Sequence, residues 1–150
     1  LGNVYNHLGD YSKAKELLLS ALDIAEKHYG EEHPETRNII TNLGNVFGAL
    51  GDYSSQKDLL LIELKLNEKN YGKEHLETLK TLTNLGNVYG SLGYYSIQKE
   101  LFLRALVINE KNYGKEHPNT GIALINLGNT YGELCNYSKK KRIIFKSIRY

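Results

Sequence analysis

Leu-Gly-Asn occurs at Leu1, Leu43, Leu85 and Leu127, each copy 42 residues after the last. Laid side by side, residues 43–84 and 85–126 share 26 identities in 42. The run Asn67–His75 returns whole at Asn109–His117, with an earlier copy at His28–His33. A chain built this way does not wrap around one central core. Each copy must be a supersecondary unit that buries its apolar face against its neighbours, so the sequence predicts a tandem array. Its repeats fall at 1–33 (truncated), 34–75, 76–117 and 118–150 (truncated).

Within a repeat the apolar spacing is helical. Ile40, Leu43, Phe47 and Leu50 recur at the intervals of one face of a helix with about 3.6 residues per turn. Gly51-Asp52 then offers a C′ glycine and an N-cap, so a second helix should begin near Tyr53, carry Leu59, Leu60, Leu64 and Leu66, and run to Tyr71-Gly72. Pro34 and Pro118 suit the first position of the next helix, where a missing N–H costs nothing. Leu76 takes that place in between. Each repeat is therefore expected to be a helical hairpin followed by an extended link. Gly44, Gly48, Gly86 and Gly90 sit inside the first helices, where each costs about 1 kcal/mol against alanine. Close approach of the paired helix is the expected reason, since no β-carbon stands between the backbones.

Leu43-Gly44, Phe47, Gly51, Tyr53, Leu60 and Leu64 resemble the tetratricopeptide repeat in order and type. That repeat usually has about 34 residues; the longer period with Tyr-Gly-Lys-Glu-His-Pro between units resembles the kinesin light chain-like subclass. The resemblance implies an all-α fold, a right-handed α-solenoid of antiparallel helical hairpins whose first helices line the concave side. Departures are visible. The family places a small residue early in the second helix; Ala14 obeys, but Gln56, Gln98 and Lys140 stand there, and Glu63 replaces the later small residue. Looser packing, or side chains reaching out to water, is expected in those units. Cys135 occupies the turn-glycine position of the last repeat. Both ends of the chain fall within a motif, so a fragment of a longer array is expected.

A search for chemistry finds none that converges. Glu32-His33, Glu74-His75 and Glu116-His117 recur once per unit, and packed helices lie about 10 Å apart, whereas zinc ligands must meet at about 2 Å from one ion. These pairs read as polar residues leading into a helix N-terminus. Phosphate-loop, dinucleotide-fingerprint, nucleophile-elbow and metalloprotease motifs are missing from the sequence. Cys135 lies in the expected hairpin turn with no activating partner indicated. Ten of the twelve tyrosines follow the period and read as core and inter-helix packing. No catalysis, cofactor, metal or small-molecule substrate is expected.

On a helical wheel Asn38, Asn42, Asn45 and Ala49 lie about 150° from the apolar face. Lys80, Asn84, Asn87 and Ser91 repeat that stripe, as do Ile122, Asn126, Asn129 and Glu133; Asn3 and His7 begin it. Asparagine carries both an acceptor and a donor, the complement of an extended peptide backbone. The candidate groove residues are thus Asn3, Asn42, Asn45, Lys80, Asn84, Asn87, Asn126, Asn129 and Glu133. The Asn-bearing helix of kinesin light chain-like repeats lines a peptide groove, and the resemblance carries that role to Asn42, Asn84 and Asn126. The function expected is a non-catalytic scaffold or adaptor that binds a peptide or helical segment of another protein. A regulatory sensor array of a larger signalling protein, with a nucleotide-binding or enzymatic domain elsewhere, is the alternative.

Composition narrows the partners. The longest apolar runs have four residues, as at Leu59–Ile62, against about 18 for a membrane span, so no membrane partner is expected. One cysteine excludes an internal disulfide and suits a cytoplasmic location. The net charge of +2 is an average: successive repeats carry −3, −1, +1 and +5, the last from Lys139-Lys140-Lys141-Arg142 and two further cations against one acid. Nucleic acid is not expected as a partner, the basic run reading as a solvated helix face.

Overall fold

The computed structural model describes the backbone of residues 2–147 and the side chains of residues 10–138. Regular structure among them is wholly helical: α1 (Gly2–Tyr29), α2 (Pro34–Ala49), α3 (Tyr53–Asn70), α4 (Leu76–Ser91), α5 (Tyr95–Tyr113) and α6 (Pro118–Ser147). They form two compact units, residues 1–73 and 74–150. In the first, α2 packs on both α1 and α3; in the second, α5 packs on both α4 and α6. Ile40, Leu43, Val46, Leu60 and Leu66 make the first core. Leu82, Leu85, Val88, Phe102, Ala105, Ile108 and Leu127 make the second.

The hairpin turns follow the sequence. Gly51 and Gly93 take φ of +74° and +81°, a region that costs other residues about 1–2 kcal/mol. Gly51 N–H donates to the Gly48 carbonyl at 3.1 Å and Asp52 N–H to that of Phe47 at 2.9 Å. Gly93 and Tyr94 repeat the pair on Gly90 and Tyr89 at 3.0 and 2.8 Å, so both turns satisfy the orphaned carbonyls of a helix end. Asp52 caps α3, accepting from Ser55 N–H at 3.1 Å and Ser55 Oγ–H at 2.7 Å. Tyr94, its counterpart before α5, offers no side-chain cap.

The helix glycines divide. A β-carbon on Gly86 would fall 2.3 Å from the Phe102 ring, and one on Gly48 or Gly90 would strike the amide of Gln56 or Gln98 at 2.6 and 2.3 Å. Gly44 is different, with nothing within 4 Å of that position. The repeat counterpart of Phe102 there is Leu60, a shorter side chain. The glutamines also correct the expectation of loose packing: their amides lie in the room the glycines leave, half-buried between the helices. Lys140 lies outside the described side chains.

Links between hairpins are clamped from within. Gly30 and Gly114 have φ of +85° and +89°, and their carbonyls accept from Thr36 Oγ1–H and Thr120 Oγ1–H at 2.8 and 2.7 Å. Both threonines are buried, as is Thr78. His33, His75 and His117 are the N-terminal polar residues expected. The Nδ1 atoms accept from the N–H groups of Glu35, Glu77 and Asn119 at 3.2, 3.2 and 3.1 Å. The rings of His33 and His117 stack on Tyr29 and Tyr113 at 4.6 and 4.8 Å. Lys69 pairs with Glu32 and Lys111 with Glu74, tying the end of α3 to the link before α2 and the end of α5 to the link before α4. Asn67 is buried and its Oδ1 accepts from Arg37 Nη2–H, while Asn109 Nδ2–H donates to the Ala105 carbonyl at 3.1 Å.

Two expectations fail. The hairpins implied at Gly9-Asp10 and at Cys135 do not form, because α1 and α6 run straight through them. At Cys135 the cause is the side chain: a thiol-bearing residue enters positive φ only at a cost, and no non-glycine residue does so among those described. Cys135 is therefore an exposed helical residue, not a turn. Gly9 permits either conformation, so a turn there needs packing to select it. The periodic tyrosines are not core either: Tyr11, Tyr29, Tyr53, Tyr71, Tyr113, Tyr131 and Tyr137 are exposed, and Tyr89 and Tyr95 half-buried. Arg37 lies 5.6 Å from the Tyr71 ring centre and Lys99 lies 6.0 Å from that of Tyr131.

Alanine should read the two glycine classes apart in urea denaturation. Gly44→Ala is expected to raise stability by about 0.5–1 kcal/mol, and Gly93→Ala to lower it by about 1–2 kcal/mol. The cap gives a pH signature. Hydrogen bonds from Ser55 hold the Asp52 carboxyl below its ordinary 3.8, so its stabilisation is complete above that value and fades as pH falls through the lower folded-state value. Asp52→Ala should therefore cost about 1 kcal/mol near neutral pH, with the difference from wild type closing as strong acid protonates the cap. Tyr94→Asp should gain a similar amount at neutral pH.

Candidate peptide-binding groove

In α4 the residues that face α5, Gly86 and Gly90, alternate with Asn84, Asn87 and Ser91, which the same helix turns to solvent. The stripe predicted from the wheel is exposed wherever its side chains are described, except that Asn126 is half-buried. Asn42 and Asn45 are exposed on α2 of the first unit, and Asn3 lies outside the described side chains. Lys80 is exposed one turn into α4, 3.7 Å from Glu77.

Three candidates are brought together. Asn87 from α4 and Asn129 and Glu133 from α6 line a groove of about 440 Å³ with Ser91, Thr130 and Gly90; its floor is completed by Tyr95 and Gln98 from the start of α5. Asn84, Asn126 and Lys80 are not among the groove's residues. Two hydroxyls are already committed, since Ser91 Oγ–H donates to the Asn87 carbonyl at 3.2 Å and Thr130 Oγ1–H to that of Asn126 at 2.9 Å. Their lone pairs remain as acceptors. The side chains of Asn87, Asn129 and Glu133 make no hydrogen bond or ion pair among the described residues.

The groove thus presents amide donors and acceptors in pairs, one phenol and one carboxylate. Such a surface can pair with a main chain; it holds no nucleophile and base set to react. Among the described residues no group of three His, Cys, Asp or Glu side chains could hold a metal ion. No helix there is long and apolar enough to cross a membrane. The basic run Lys139–Arg142 lies outside the described side chains.

Sequence reasoning missed Tyr95 and Gln98. Gln98 was visible as a departure from the small residue of the pattern, and its pairing with a helix glycine was the signal that it lies between helices rather than out in water.

The repeats of this chain are those of a known class. It belongs to the tetratricopeptide-repeat family, whose models match residues 1–55 and 78–119. Its fold, an all-α helical solenoid, is shared with kinesin light chain-like arrays. BtubC (BKLC) from P. vanneervenii superimposes with a TM-score of 0.74 at 24% identity, over 97% of this chain and 58% of that one. The nearly identical TPR-like repeats of a Podosopora anserina kinesin light chain candidate give 0.73 at 24% identity, over 90% of this chain and 64% of theirs. A single-substitution form of those repeats gives the same values. The chain therefore spans about 58% to 64% of the length of these structures. No curated protein gives a significant sequence match. Repeats of this family generally mediate contacts between proteins, and the fold is typically non-catalytic.

Because Asn87 and Asn129 are exposed and their side chains are unpaired among the described residues, replacing them should leave the fold alone. Asn87→Ala and Asn129→Ala are each expected within about 0.5 kcal/mol of wild type in urea. A larger loss would assign them to structure instead of the groove.

Proposed function

We propose that the chain is a non-catalytic interaction scaffold that binds an extended peptide segment of a partner protein along the asparagine-bearing faces of its first helices. The observation that carries this is the convergence of Asn87 and Asn129, with unpaired amides, on one open groove. An extended backbone presents alternate N–H and C=O groups, and asparagine meets both. Asn84, Asn126 and Lys80 lie on the helices of the same unit and extend the footprint there in this reading, while Asn42 and Asn45, with Asn3, offer a like face on the first unit. The four repeats, 1–33, 34–75, 76–117 and 118–150, are its modules. A cytoplasmic site of action suits the single, exposed Cys135, which has no partner for a disulfide within the chain.

Phage display of random ten-residue peptides, followed by titration of an enriched peptide, tests the reading. Wild type should bind, and an Asn87→Ala/Asn129→Ala variant of unchanged stability should bind at least about tenfold more weakly, as expected when two backbone hydrogen bonds are lost. Equal affinity for both would remove the groove assignment.

A further inference from the structure

We infer that the groove of the second unit selects peptides bearing a lysine or arginine, whose cationic head is held by the Glu133 carboxylate in a groove that Tyr95 also lines. The inference rests on the peptide-binding reading and adds to it the chemistry of one bound side chain. Among the described residues lining the groove, Glu133 is the only acidic or basic side chain. It is exposed, and no cation among the described residues neutralises it. Lys99, on the neighbouring α5, lies over the ring of Tyr131. The remaining lining side chains are amides, hydroxyls and a phenol, none of which carries a positive charge.

A carboxylate in this setting distinguishes incoming side chains by sign. A guanidinium presents two parallel N–H donors to its two oxygens, and an ammonium presents three. Asn129 and Tyr95 line the same groove, and an amide oxygen accepts from a cationic donor while an aromatic face attracts a cation. An acidic side chain at the same place would meet a like charge. The basic run Lys139–Arg142 begins six residues past Glu133, and its side chains lie outside those described.

Three oriented peptide libraries, random except for a central fixed Lys, Gln or Glu, would be passed over the immobilised full chain, and the retained fraction of each measured. Wild type is expected to retain the Lys library about threefold to tenfold over the Glu library, with Gln between and the preference shrinking as salt rises. Glu133→Lys should invert the order, and Asn87→Ala/Asn129→Ala should lose all three libraries together. If wild type retains peptides without regard to the fixed residue, or if Glu133→Lys leaves the order unchanged, the inference is overturned while peptide binding stands. If wild type retains no library, the peptide-binding reading itself falls, and the inference with it.

Discussion

The Phe102 ring lies where a β-carbon on Gly86 would stand, and the Gln98 amide does the same at Gly90. That close approach of α4 and α5 settles which side of α4 faces inward. Gly86 and Gly90 belong to the covered face, together with the buried Leu82 and Leu85. A helix turns about 100° per residue, so Asn84, Asn87 and Ser91 are delivered to the other side. A β-carbon on Gly86 would force the Phe102 ring or the helices to shift, whereas one on Gly90 would displace the end of the flexible Gln98 side chain. The helix cost of glycine is thus the condition for the outer face being available.

Much of this was legible from the repeat. The helix starts at Pro34, Leu76 and Pro118, the turns at Gly51 and Gly93 and the solvent exposure of the asparagine stripe all follow from period, punctuation and helical phase. What the pattern hid depends on partners distant in sequence. Thr36 and Thr120 are buried because a glycine carbonyl six residues earlier needs a donor, and Asn67 because it meets Arg37 from another helix. Their recurrence at the same place in each repeat was a signal, but a threonine in a helix's first turn also suits a solvated face. The continuous α1 and α6 show the limit of local punctuation: the same Leu-Gly-Asp-Tyr-Ser string turns at Gly51 and does not at Gly9. Of the groove residues, the wheel found Asn87, Asn129 and Glu133 but could not separate them from Asn84 and Asn126, since sharing a face does not mean sharing a cavity.

Charge is used in two ways. Near the links, Glu32 and Glu74 meet lysines from the far end of a following helix, and the Lys69 ammonium holds the Glu32 carboxyl below its usual range. These pairs are exposed, so they steer packing more than they stabilise it. In the groove the situation is opposite: among the described residues a carboxylate stands without a counter-charge beside neutral groups. One arrangement commits charge to the protein's own geometry, and the other leaves it available to a visitor. A net charge of +2 conceals both.

The junction between hairpins is self-sufficient. A left-handed glycine, a histidine that caps the next helix and a threonine that returns to the glycine carbonyl all lie within seven residues, as at Gly30–Thr36 and Gly114–Thr120. Nothing in that chemistry refers to how many repeats precede or follow it. Recombination that adds or removes a whole 42-residue copy therefore rebuilds every junction unaltered, whereas an insertion of one residue inside the link separates the hydroxyl from its carbonyl. Such a gene can change length in whole steps without disturbing the joints, and the 26 identities in 42 between its two central copies are the kind of trace that duplication leaves.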